Sequence, residues 1–117
     1  MVFAGATGRD HLYSGAPGDL YAFPADCGSR ICHPIWRVHL DGDPWLTARN
    51  GVLIVGTYGG SFFAFPTDCA PTNGTCKPLW ETNTFDGGLI FDHVTMTDST
   101  VCAGGDKGQV YCFAVPA

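Results

Sequence analysis

Apolar residues fall in short runs separated by glycine, proline and asparagine, and no stretch repeats at the spacing of an amphipathic helix. Val52-Leu53-Ile54-Val55 is apolar on both faces, the pattern of a strand covered from both sides. Asn50-Gly51 before it predicts a hairpin, because both central residues of a type I′ turn need positive φ. Gly56 to Gly60 predicts the next tight turn, followed by a strand through Phe65, and Pro78 opens a last strand at Trp80. The unit is strand, Asn-Gly turn, strand, Gly-rich turn, strand, cysteine loop, tryptophan strand. It is a four-stranded antiparallel meander.

The unit repeats. Leu20-Tyr21-Ala22-Phe23-Pro24-Ala25-Asp26-Cys27 aligns without a gap on Phe62-Phe63-Ala64-Phe65-Pro66-Thr67-Asp68-Cys69. Cys32-His33-Pro34-Ile35-Trp36 then aligns on Cys76-Lys77-Pro78-Leu79-Trp80, and Val110-Tyr111-Cys112-Phe113 begins a third copy. Upstream of each comes an apolar run ending in glycine: Leu12 to Gly15, Leu53 to Gly56, Val101 to Gly104. Asp98-Ser99 stands where Asn50-Gly51 stands in the second copy. A period near 45 residues with two apolar faces per sheet predicts an all-β fold of four-stranded blades in a β-propeller, ahead of a two-sheet sandwich. The expected blades run from about 2–40 and 45–84, with a partial third at about 92–115.

The stretch Gly15 to Phe23, with its later Trp36, resembles the pyrroloquinoline-quinone-like (PQQ-like) repeat. That repeat builds the propellers of quinoprotein dehydrogenases and of many non-catalytic bacterial envelope proteins. The resemblance spans almost the whole chain and implies the fold rather than an activity. The family's repeat carries an aspartate where Pro24 and Pro66 stand, and a Thr-Gly turn where this chain has a cysteine loop.

Charge removes several function classes. The net charge is −5 and the six Lys and Arg are scattered singly, so nucleic acid and anionic membranes are not expected partners. No apolar run approaches the roughly 18 residues of a membrane span. Met1 is not followed by the cationic and apolar segments of a signal peptide, so the leader is expected to have been removed or the original start to lie elsewhere.

The six cysteines carry the most chemical information. Cys27 and Cys32, and Cys69 and Cys76, lie in the same connection of successive repeats. A zinc site would need four sulfurs at about 2.3 Å, whereas equivalent loops on packed sheets stand about 10 Å apart. Two short-loop disulfides are therefore expected, ahead of a metal or free thiols. Cys102 and Cys112 fall on strands flanking a Gly-rich turn, and read equally as buried thiols or a cross-strand disulfide. Three even pairs point to an oxidising compartment, periplasmic, cell-surface or secreted.

No catalytic, cofactor or metal residue is expected. His11, His33, His39 and His93 lack a ligand spacing, and Asp41-Gly42-Asp43 and Asp86-Gly87-Gly88 lack the further oxygens of a calcium loop. Gly104-Gly105-Asp106-Lys107-Gly108 joins two strands, so it is a turn and not a phosphate loop. Asn73-Gly74-Thr75 fits the N-glycosylation pattern, but an Asn-Gly turn inside the cysteine loop is the preferred reading. Trp36, Trp80, Phe23 and Phe65 recur at fixed places and read as inter-blade packing residues. Trp45 and Phe91 are the candidates for an aromatic binding surface.

The leading expectation is a non-enzymatic module that offers a binding or scaffold surface to a protein or carbohydrate partner outside the cytoplasm. The alternatives are a fragment of a quinone- and calcium-dependent oxidoreductase, which would need vicinal cysteines absent here, and the sensor ectodomain of a receptor. Exposed terminal faces further predict contact with the remaining blades of a longer chain or self-association.

Overall fold

A computed structural model of the protein describes residues 1–7, 18–28, 30–42, 44–57, 60–83, 94–104, 108 and 110–115. These form ten strands and no helix: β1 (Val2–Thr7), β2 (Gly18–Phe23), β3 (Trp36–Leu40), β4 (Pro44–Arg49), β5 (Val52–Thr57), β6 (Ser61–Pro66), β7 (Trp80–Asn83), β8 (Thr95–Met96), β9 (Thr100–Gly104) and β10 (Val110–Ala114). They assemble in chain order into three open antiparallel sheets. The first is β1-β2-β3, the second β4-β5-β6-β7 and the third β8-β9-β10.

Local sequence explains the meanders. Asn50 and Gly51 adopt φ of 52° and 81°, the pair of positive angles that reverses β4 into β5. The Gly51 carbonyl accepts the Thr67 N–H at 2.9 Å, tying this turn to the end of β6. The Ile35 N–H bonds the Ala22 carbonyl and the Leu79 N–H the Ala64 carbonyl, each at 2.7 Å. The residue before each tryptophan is thus fixed identically in the two copies.

The first unit is described in part. The described residues give it three strands, and Leu12 to Gly15, expected as a further one, lies outside them. The strand paired with β2 is β1, which sets Phe3 opposite Ala22 where the repeat alignment put Tyr13. β3 pairs with the other side of β2. The true equivalent of Leu53-Ile54-Val55-Gly56 is Val2-Phe3-Ala4-Gly5.

The core is split by the second sheet. Leu53, Val55 and Phe65 point to the first sheet and join Leu20, Ala22, Trp36 and Leu40. Val52, Ile54, Phe62 and Ala64 point the other way and join Val94, Val101 and Ala103 of the third. All six residues of β5 are buried, which explains the apolar run Val52 to Val55. Each large aliphatic or aromatic side chain so buried contributes roughly 1.5–3 kcal/mol relative to exposure. The sheets approach closely at Gly5, where a Cβ would lie 2.5 Å from Pro44 Cγ.

Candidate binding surface

Pleating gives each sheet two different faces. One carries a cross-strand row directed at the following sheet: Phe3, Ala22 and Trp36 in the first, Ile54, Ala64 and Trp80 in the second. Alanine in the middle leaves room for the indole beside it. The other face receives the preceding sheet: Leu53, Val55, Phe63 and Phe65 in the second, Val101, Ala103, Tyr111 and Phe113 in the third. Trp36 lies 6.0 Å from Phe65, and Trp80 packs edge-on against Phe113 at 5.2 Å between ring centroids. The same tryptophan meets the same phenylalanine at both junctions.

Polar groups lock the first junction. Asp41, just past β3, accepts hydrogen bonds from Thr57 Oγ1 at 2.7 Å and Ser61 Oγ at 2.5 Å. At the opposite rim the Cys69–Cys76 loop turns through Asn73 and Gly74, with φ of 55° and 77°. Its Gly74 carbonyl accepts the Arg37 N–H at 3.0 Å, and Cys76 is buried in the core around Trp36. This cysteine loop therefore reaches back and covers the tryptophan of the preceding sheet. An open cleft of about 630 Å³ lies against it, lined by Pro66, Cys69, Ala70, Thr72, Asn73, Thr75 and Lys77, and offers a single cation.

All six cysteines are paired: Cys27–Cys32, Cys69–Cys76 and Cys102–Cys112. The last pair joins directly opposed residues of β9 and β10, with Cα atoms 4.1 Å apart. Three disulfides fit an oxidising, extracytoplasmic environment. No described helix is long and apolar enough to cross a membrane.

The receiving face of the first sheet is solvent-accessible. It comprises Val2, Ala4, Tyr21 and Phe23, the residues that align with Leu53, Val55, Phe63 and Phe65. Tyr21 and Phe23 stack at 6.2 Å, and the Arg37 guanidinium sits 5.5 Å from the centre of the Tyr21 ring. Asp19 Oδ1 contacts both Arg37 Nε at 3.2 Å and His39 Nδ1 at 2.7 Å. The hydrogen bond to Asp19 raises the Arg37 pKa above its ordinary value, so the cation is permanent. Beside this face the Cys27–Cys32 loop exposes Ile31 at 74%. The result is an aromatic platform with one fixed cation, a histidine and an apolar rim.

Tyr21, Asp19, Arg37 and His39 did not stand out in the sequence. Their signal was the i, i+2 alternation of Asp19-Tyr21-Phe23 and of Arg37-His39, which puts them all on one face once β2 and β3 pair. Phe23 belongs to this face. Trp45 lies in β4 and packs, partly buried, against the core between the second and third sheets. Phe91, His11, His93, Asp43 and residues 86–88 and 105–107 lie outside the described residues. His33 is exposed in the segment leading to β3. Among the described residues no group of three or more His, Cys, Asp or Glu is placed to hold a metal. No protein-family model, curated protein or solved structure matches the chain.

Proposed function

We propose that the protein is a non-enzymatic binding module built of PQQ-like propeller repeats, working in the periplasm, at the cell surface or in the secreted space. It engages a protein partner through the accessible face of its first sheet. The observation that carries this reading is the stacked Tyr21–Phe23 pair under the Arg37 guanidinium, next to an exposed Ile31. Aromatic residues and arginine are the groups over-represented at the energetic centres of protein interfaces. The three disulfides favour work outside the cytoplasm. The three open sheets fit a propeller-like arrangement.

A photo-crosslinking residue at position 21, in the chain exported by its own host, tests this, with position 77 as the control. A protein adduct at 21 and not at 77 is expected. Binding only to glycans would move the partner class to carbohydrate, and equal labelling at both positions would contradict a dedicated face.

A further inference from the structure

Two exposed faces at opposite ends of the molecule match, at their described positions on β1, β2, β9 and β10, faces that meet at both internal junctions, although the described third sheet has no tryptophan strand. At both internal junctions the donating face of one sheet meets the receiving face of the next, in the same order along the chain. The first sheet keeps a receiving face open, Val2, Ala4, Tyr21 and Phe23, with Val2 52% exposed. The third sheet keeps a donating face open. Its register places Thr100, Cys102, Cys112, Val110 and Ala114 away from the second sheet, with Val110 70% exposed.

We infer that a second copy of this chain docks head to tail, its third sheet seated on the first sheet of its neighbour. The inference rests on the reading of the first sheet as a binding face and names its partner. Val110 occupies the repeat position of Leu20 and Phe62, which are both fully buried at the internal junctions. Cys102 and Cys112 occupy the positions of Ile54 and Ala64. Their disulfide sulfurs would lie against Tyr21 and Phe23, and sulfur–aromatic contact is favourable. A donating face fits a receiving face and not another donating face, so the contact is heterologous and either closes a ring or propagates. The smallest product of this docking is a dimer.

Sedimentation velocity on the purified chain over a wide concentration range tests the inference. The wild type should sediment as a dimer. Phe23→Asp and Val110→Asp should each give a monomer, with dissociation constants raised at least tenfold and melting curves retained, since Val110 is exposed and Phe23 is half-buried on an open sheet face. Mixing the two variants should restore a heterodimer, because each supplies the face the other lacks. Circular dichroism on each variant separates this from misfolding. A wild type that stays monomeric at hundreds of micromolar, or variants that associate like wild type, would overturn the inference. A monomer that still forms a position-21 adduct with a different protein would remove self-docking and leave the binding face standing.

Discussion

The two internal junctions are built from the same residues, yet they are not equally closed. Trp36 is 1% exposed, whereas Trp80 is only partly buried. Ring contacts do not account for the difference, since Phe113 meets Trp80 and also Phe62 at 4.9 Å. The first junction has a cysteine loop folded over its tryptophan, with Cys76 in the core and Gly74 bonded to Arg37. It also has Asp41 bound to Thr57 and Ser61. The second junction is bridged at its rim by Arg49 Nε and Asn50 Nδ2, both 2.6 Å from Asp98 Oδ1 and exposed. A repeat thus supplies three things to the one before it: a phenylalanine to receive the indole, a loop to cover it, and hydroxyls to hold the connecting turn. Trp36 Nε1 is buried with no hydrogen-bond partner among the described residues, at a cost of roughly 1–3 kcal/mol.

The largest expected difference is between the tryptophans. Trp36→Ala should cost about 3–5 kcal/mol in chemical unfolding, the range for a fully buried aromatic, and Trp80→Ala at least about 1 kcal/mol less. Trp36→Phe should recover most of the loss, because phenylalanine brings no indole N–H to leave unpaired. Next come the loops. Replacing Cys69 and Cys76 by alanine should cost about 2–3 kcal/mol and make Trp36 accessible to acrylamide quenching. The same change at Cys27 and Cys32 should cost less and leave quenching unchanged, because that loop covers no described tryptophan. The smallest effect belongs to Asp98→Ala. Exposed ion pairs are worth about 0–1 kcal/mol, and that loss should shrink further in high salt.

The repeated blocks, the Asn50-Gly51 reversal and the apolar run of β5 were legible in the sequence because they depend on local chemistry. A short loop between cysteines also limits the possible pairings, so Cys27–Cys32 and Cys69–Cys76 could be read directly. Cys102–Cys112 could not, because opposition across two strands exists only once their register is set. The partner of β2 was less legible, because Leu12 to Gly15, which lies outside the described residues, matches the glycine-ended run of the second copy at the expected distance. The actual partner, β1, stands further upstream and carries the smaller Ala4 where Val55 stands in the second copy. The Asp41 contacts were also invisible, since an Asp-Gly pair reads as a turn until Thr57 and Ser61 are brought beneath it. The aromatic platform needed two alternations, one in β2 and one in β3, to be put side by side.

Each tryptophan stabilises the fold through the phenylalanine of the following sheet. A double-mutant cycle on Trp36 and Phe65, read by urea unfolding, tests it most directly. The predicted result is a coupling of about 0.5–1.5 kcal/mol, as found for aromatic pairs, together with additivity between Trp36 and Phe113. Additivity of Trp36 and Phe65 within about 0.5 kcal/mol, or equal coupling of Trp36 to both phenylalanines, would contradict it.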